Sequence, residues 1–492
     1  MPSAALDRKT RLGQVWLFLG LITLARLVFA ATLPLTDDEA YYRLWAQHLD
    51  IGYYDHPPMV AWLIALGKAL LGDTALGTRL GAVLATSLTS LVVHDLALRL
   101  GAGRKTALTA MVWFNATLIV AAGGLLAVPD VGASLFWTLC LWCLVRAQGD
   151  LKRPGLWWAL AGLVAGLATL SKYSSLFLAP GIFLWVVASA ERRKVLATPW
   201  PWLAGLIAGL VFAINVYWNA QHGWLTFTKQ FGRVEATAFS PRFVVELLIT
   251  QALLLNPLIT GFLLRGALAR PRSQGRVQGL DLSLIWLTSL PFAAYLIIHA
   301  LHDRVQGHWP MPLYPGLALA AAVMASGLGL GRWGRALRAL VPWLGLGLGA
   351  AALSLAVAPP GLLPLKRDPT QAVRGWPQLA SALEAERKVQ GAAWVGTVSY
   401  VSLAQLSNQP AIKAPMIQID ERDRYANWPV PPDLNMTRPG LIIDLSRRMD
   451  PKALAACFTK ITPGPNLARG GRSYAVYRVE GPRFDVVGDG CG

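Results

Sequence analysis

GQVWLFLGLITLARLVFAATL, residues 13–33, runs directly into Pro34-Leu35-Thr36-Asp37-Asp38-Glu39-Ala40-Tyr41-Tyr42. The first stretch is long enough to cross a hydrocarbon layer and carries no small-residue cleavage site, so it reads as an uncleaved first membrane helix. The second places three consecutive acids at the edge of that layer, where a carboxylate is costly unless it faces water, pairs with a cation or does chemistry. A polar stretch with Tyr53-Tyr54-Asp55-His56-Pro57-Pro58 follows before the next apolar run.

Composition extends this reading to the whole chain. Of 492 residues, 54% are hydrophobic and 15% charged, and the mean hydropathy is +0.44. These values define a polytopic α-helical membrane protein and exclude an ordinary soluble domain. Apolar runs of spanning length fall at 13–33, 77–98, 105–123, 130–147, 156–171, 173–190, 200–219, 243–264, 281–300, 310–329 and 339–357, which makes about eleven helices. Beyond them the texture changes to mixed charge, Pro and short β-like stretches. The expected organisation is a membrane domain over 1–358 and a soluble domain over 359–492.

Lys and Arg mark the cytoplasmic connections. They cluster in alternate ones: Arg8, Lys9 and Arg11; Arg99, Arg104 and Lys105; Arg146, Lys152 and Arg153; Arg192, Arg193 and Lys194; Arg265, Arg270, Arg272 and Arg276; Arg332, Arg335 and Arg338. The acids of 37–55, Asp130, Lys172, the segment 220–242, His302-Asp303-Arg304 and the tail are thereby expected on the opposite, periplasmic face. The net charge of +18 is spread over the cytoplasmic connections, as a topology signal in contact with anionic lipid would be. No nucleic-acid motif accompanies it.

Cys140 and Cys143 lie inside the fourth apolar run with no other ligand near, which is ordinary helix packing. Cys457 and Cys491 share the tail, where oxidation is permitted; the sequence leaves open whether they pair.

Within the first external stretch, Tyr41, Leu44, Trp45, His48 and Leu49 recur at helical spacing over 39–50, and Pro57-Pro58 begins a second apolar helix over 57–71. Two helices along the membrane surface are expected. On their own they are equally compatible with simple interfacial anchors; the acids before one and Asp55-His56 before the other point to a site.

The motifs Asp38-Glu39-Ala40-Tyr41-Tyr42, Gly52-Tyr53-Tyr54-Asp55-His56-Pro57-Pro58, Val128-Pro129-Asp130, Leu170-Ser171-Lys172-Tyr173 and Gly307-His308-Trp309-Pro310 with Tyr314-Pro315 occur in this order. Together they resemble the bacterial protein-mannosyltransferase-like and aminoarabinose-transferase-like glycosyltransferases of the GT-C class. Ser399-Tyr400 and Arg424-Tyr425 with Trp428 resemble short motifs of that family's soluble domain. His56 stands where the aminoarabinose branch has Lys before the Pro-Pro pair, and matches the other branch.

The resemblance implies transfer of a sugar from a polyprenyl-phosphate donor to an extracytoplasmic acceptor, usually with inversion. Such a reaction needs a carboxylate base facing the anomeric carbon and cations at the leaving phosphate. By motif position Asp38 is the base, with Glu39 supporting it and Asp130 as a second site acid. Tyr54, Asp55, His56, Lys172, Arg304 and His308 are donor or phosphate contacts. The alternatives are structural: Asp38 and Asp130 as helix N-caps, Lys172 snorkelling, and Arg304 paired with Asp303 or anchoring at the interface. Asp55, His56, His222 and His308 are too dispersed for a metal motif, so no cofactor is required; a divalent cation is the less favoured reading.

Trp224, Phe227, Phe231 and Phe239 among Lys229, Arg233 and Arg242 suit either a lid beside a lipid donor or an interfacial belt. The tail, with strand-like runs at 391–401, 440–445 and 473–480 and a helical stretch at 376–390, is expected to be a small α/β or α+β domain. Lipid A, another envelope glycan and protein are all compatible acceptors. A lipid or sugar-lipid transporter or flippase is the competing class, but the chain shows no internal repeat, and its polar residues gather at one surface.

Overall fold

The structure, a computed structural model, describes residues 2–150, 152–232, 239–268, 276–277, 280–358, 369–483, 485 and 491. Arg233 of the second external loop and Arg270 and Arg272 of the basic connections lie outside them. The chain divides into two compact units, residues 1–32 with 56–355 and residues 33–55 with 356–492.

Among the described residues of the first unit, seven helices are long and apolar enough to cross a membrane: Leu12–Thr32, Ala75–Arg99, Pro129–Gly149, Pro154–Ser171, Trp200–Gln221, Ser283–Ala300 and Arg332–Val357. Two bent pairs, Tyr173–Val187 with Ala190–Ala197 and Arg242–Leu254 with Pro257–Leu268, turn by 111° and 108° and raise the number to nine if each is one span. The chain is thus a multi-pass helical membrane protein.

Three expected spans differ from the sequence reading. The run 105–123 is two helices, Arg104–Asn115 and Leu118–Gly123. The run 243–264 breaks at Asn256, whose φ is 81°. The run 310–329 is a short turn, Met311–Leu313, followed by the apolar helix Tyr314–Gly327. Hydropathy averages across such breaks because the residues in them are buried. In a hydrocarbon layer every carbonyl freed at a break needs an internal donor. The fully buried Asn256 supplies one, its Nδ2 donating to Ala116 O at 3.0 Å and Val341 O at 3.1 Å. One side chain thereby ties its own break to the break at Ala116 and to the helix Arg332–Val357.

That last helix can come so close because of Gly345: a Cβ there would lie 1.8 Å from Ala116 O. Another buried network fixes the first span. Arg26, 3% exposed, donates through Nη2 to Asn115 Oδ1 at 2.7 Å, and Asn115 Nδ2 donates to Ser90 Oγ at 3.0 Å.

In the second unit the helix Asp37–Trp45 is shorter than the expected 39–50, because the Tyr53 hydroxyl, held under the chain, donates to Trp45 O and His48 O and receives the Asp50 N–H at 2.9 Å. The tail is a mixed sheet. Its strands lie in the order Met416–Gln418, Trp394–Thr397, Gly440–Leu445, Arg472–Pro482 and Phe458–Pro463, with Leu467–Arg469 pairing on Arg472–Pro482. Trp394–Thr397 is parallel to both neighbours, while Gly440–Leu445 and Arg472–Pro482 are antiparallel. The helix Trp376–Val389 falls where expected. The strand-like run 391–401 is shorter than expected: only Trp394–Thr397 is strand, and the chain turns into the helix Tyr400–Ser407 at Ser399. Buried Asp444 accepts from Ser399 N at 2.6 Å and Ser399 Oγ at 3.0 Å, and Ser399 Oγ caps the helix. Cys457 and Cys491 are disulfide-bonded, whereas Cys140 and Cys143 are buried free thiols.

Gly345→Leu should destabilise the detergent-solubilised protein by at least about 2 kcal/mol, since backbone and not a flexible side chain must give way. Gly347→Leu, with nothing within 4 Å of the added Cβ, is the matched control. Equal thermal midpoints for the two variants would show that the close approach is unimportant.

Candidate active site

Pro129 takes the first position of the helix Pro129–Gly149, where its missing N–H costs nothing, and this sets Asp130 in the first turn. The N-cap position is Val128, not Asp130. Its Oδ1 accepts from Lys172 Nζ at 2.5 Å, and its Oδ2 lies 4.0 Å from His308 Nε2. Asp130 and Lys172 are 2% and 8% exposed, whereas the His308 side chain is about half-exposed. His56 is near enough to act on the Asp130 carboxylate electrostatically. Both alternatives raised for these residues therefore fall: Asp130 is not a cap, and Lys172 does not snorkel.

Local chain geometry produces this pair. Lys172 is the extended residue at which the helix Pro154–Ser171 ends and a 3₁₀ turn, Tyr173–Phe177, begins. Gly132, two residues along from Asp130, lets the two helices meet, for a Cβ there would lie 2.9 Å from Ser171 Oγ. Next to Lys172, the Tyr173 hydroxyl donates to Asn215 Oδ1 at 2.6 Å. Below this polar end an apolar groove of about 350 Å³ runs among the helices Pro154–Ser171, Leu178–Val187 and Trp200–Gln221, lined by Trp158, Gly162, Phe183, Trp202, Gly209 and Phe212.

Other expected site residues of this unit lie elsewhere. Arg304 pairs through Nε with Glu246 Oε1 at 2.7 Å, and not with Asp303, which takes only the Arg304 backbone N–H. His222 stacks on Trp218 with centroids 4.0 Å apart. Among the described residues no three His, Cys, Asp or Glu side chains converge as a metal site would require. In the loop 220–242, Phe227 packs on Tyr173 at 5.4 Å and Phe212 at 6.3 Å, so this aromatic belongs to the fold, while Trp224 remains 46% exposed.

The second unit carries the acids of the first external stretch. Thr36, not Asp38, is the N-cap of the helix Asp37–Trp45. Glu39, fully buried, accepts the Thr36 N–H at 3.0 Å while Thr36 Oγ1 accepts the Glu39 N–H at 3.3 Å, a complete capping box. Asp37 Oδ1 accepts from Gln405 Nε2 at 2.9 Å. Asp38 is the exposed member of the three.

Asp55, 8% exposed, accepts from Arg424 Nη1 at 2.7 Å, and Arg424 Nε donates to Glu421 Oε2 at 2.6 Å. The guanidinium lies 4.3 Å from the Tyr400 ring centroid and 5.3 Å from that of Tyr54. Tyr41 donates to Arg424 O at 2.9 Å and packs against the rings of Tyr400 and Tyr425. Burial opposes the Arg424 charge, but Asp55 beside it wins and raises the guanidinium pKa. Burial, reinforced by Asp38, pushes the Tyr400 hydroxyl up to about 12.

Sequence reasoning found Asp130 and Lys172 separately and did not pair them. It also missed Arg424 as the partner of Asp55, although Arg424-Tyr425 had stood out as a motif.

A helical membrane unit with a buried acid–lysine pair at a helix start, a motif-bearing first loop and a mixed-sheet tail is the arrangement that the resemblance to the GT-C class implies. Residues 55–218 match the family described as dolichyl-phosphate-mannose-protein mannosyltransferase. It is 29% identical over 309 residues to the lipid A galacturonosyltransferase RgtD of Rhizobium johnstonii, covering 61% of this chain and 62% of that protein. It is likewise 29% identical over 326 residues to the undecaprenyl phosphate-alpha-4-amino-4-deoxy-L-arabinose arabinosyl transferase of Pectobacterium carotovorum, covering 64% of this chain and 56% of that protein. The match thus spans less than two thirds of either relative. In fold the chain resembles ArnT from Cupriavidus metallidurans bound to undecaprenyl phosphate, with a TM-score of 0.65 at 14% identity over 94% of this chain and 98% of that one.

Removing one partner from a buried ion pair strands the other, at a cost of about 3–5 kcal/mol. Lys172→Met should therefore lower the thermal midpoint in detergent, and Asp130→Asn combined with it should recover most of the loss without restoring transfer. A double variant no more stable than Lys172→Met would show that the pair is not what holds this corner.

Proposed function

We propose that this chain is an inner-membrane glycosyltransferase that moves a sugar from a polyprenyl-phosphate donor, undecaprenyl phosphate-linked, to an acceptor on the periplasmic side. The observation that carries this reading is the buried Asp130–Lys172 pair with His308 beside it, in a chain whose residues 55–218 match this family. A fixed carboxylate and two nitrogen donors at one helix start suit a sugar and its leaving phosphate. The apolar groove near Lys172 suits a prenyl chain.

In this reading Asp38 is the base. Its helix is anchored by the Thr36–Glu39 capping box, which makes Glu39 a positioning residue and leaves Asp38 exposed for an acceptor. Asp38 takes the proton of the acceptor hydroxyl or amine as that atom bonds to the anomeric carbon. The bond from that carbon to the phosphate oxygen breaks, and its electron pair leaves with the polyprenyl phosphate. Attack opposite the leaving group inverts the anomeric centre. Lys172, His56 and His308 bear the phosphate charge, with Tyr54 and Asp55 on the sugar side. Arg304, committed to Glu246, has the weakest claim among the donor contacts.

The same reading keeps eleven crossings, counting Arg104–Gly123 and Tyr314–Gly327, with a membrane domain over 1–358 and a periplasmic soluble domain over 359–492. Relatives named for lipid A and aminoarabinose transfer favour lipid A as the acceptor over another envelope glycan or protein.

Purified protein should release undecaprenyl phosphate from an undecaprenyl-phosphate sugar when given lipid A, and Asp38→Asn should insert normally yet lose about a hundredfold or more in rate. Full activity in Asp38→Asn would remove Asp38 from the chemistry. Donor left intact by the unaltered protein, with the lipid moved across vesicles instead, would replace the enzyme with a transporter.

A further inference from the structure

Asp55 poses an electrostatic problem that the donor reading does not solve by itself. It is chain neighbour to Tyr54 and His56, and a buried carboxylate at that position would repel the phosphate of a polyprenyl-phosphate sugar. The tail supplies the countercharge. Arg424 holds Asp55 Oδ2 at 2.7 Å, both side chains are 12% exposed, and the guanidinium is clamped by Glu421 at 2.6 Å and by the Tyr400 and Tyr54 rings. Its backbone is fixed as well, since Arg424 O accepts the Tyr41 hydroxyl at 2.9 Å. Nearby, Asn427 Nδ2 donates to Asp50 Oδ2 at 2.5 Å and to Gly52 O at 3.3 Å, so the segment 421–428 grips the loop that ends in Tyr54-Asp55 at several points.

We propose that Arg424 of the soluble tail is a positioning residue for donor binding: it neutralises Asp55 and fixes the Tyr54-Asp55 segment, so that the lipid phosphate meets no uncompensated carboxylate. The proposal rests on the donor reading above. It assigns the tail a part in binding the donor. Tyr400 takes part through its ring, which stacks on the guanidinium and limits where it can go. A lysine at 424 would keep the charge and lose the planar fork and much of the stacking.

The test is equilibrium binding of radiolabelled undecaprenyl phosphate to the full-length protein in detergent. Arg424→Met should weaken binding by at least about tenfold, because truncating one member of a buried charge pair strands the other. Arg424→Lys should recover most of that loss. In an Asp55→Asn background, Arg424→Met should cost less than about threefold, since no carboxylate remains to be neutralised. A merely structural clamp would give the same loss from Arg424→Met with or without Asp55, and that result would overturn the proposal, as would unchanged binding in Arg424→Met. Each variant is compared at equal monodispersity, and Arg424→Lys serves as the folded reference if Arg424→Met is unstable. Absence of binding by the unaltered protein would overturn the donor reading and this proposal together; binding that Arg424→Met leaves intact would overturn this proposal alone.

Discussion

An ionised side chain removed from water costs several kcal/mol unless an opposite charge and hydrogen bonds take the place of the solvent. The Asp130–Lys172 pair meets that condition, and much of the membrane unit is arranged around it. The helix Pro129–Gly149 must start where it does for Asp130 to reach Lys172. The helix Pro154–Ser171 must stop where it does for Lys172 to point back. Gly132 must be small for the two helix ends to meet. Moving any one of these would leave a charge stranded in a medium that cannot solvate it, so the pair acts as a register mark as well as a chemical group.

The second unit solves the same problem in a different setting. Three acids open its first segment: Glu39 is consumed by the helix cap, Asp37 is held by Gln405, and Asp38 is exposed. Asp55 is then answered by Arg424. Glu39, Asp37 and Asp55 thus each have their own partner type, backbone amide, side-chain amide or guanidinium, and the exposed Asp38 is the one proposed as the base.

Legibility in the sequence followed the physics of each signal. Long apolar runs are read from composition alone, so the unbroken spans were found within a few residues, except that the last begins at Arg332, ahead of the expected 339, because its first turns are basic. Breaks were not, because Asn115 and Asn256 are single polar residues inside apolar stretches and their effect depends on partners far away in sequence. Strand Gly440–Leu445 was legible as a buried apolar run; Met416–Gln418 and Leu467–Arg469 are too short to show a period. Site residues were legible as motifs, whereas their pairings were not, since Asp130 with Lys172 and Asp55 with Arg424 are tertiary facts. Glu39 was assigned near the chemistry by adjacency, although Thr36 three residues earlier already spelled a capping box.

Residues 33–55 are compact with 356–492 and not with the helices that flank them in sequence. Tyr41 and Trp45 meet edge to face, Tyr41 packs on Tyr400 and Tyr425, and Asn408 reaches Ala40 O at 3.0 Å. The unit of exchange between relatives is accordingly discontinuous. A chimaera joined only at the end of the last membrane helix would give a foreign tail to a loop whose aromatic face was shaped for another, and recombination that keeps the protein whole must carry both segments together.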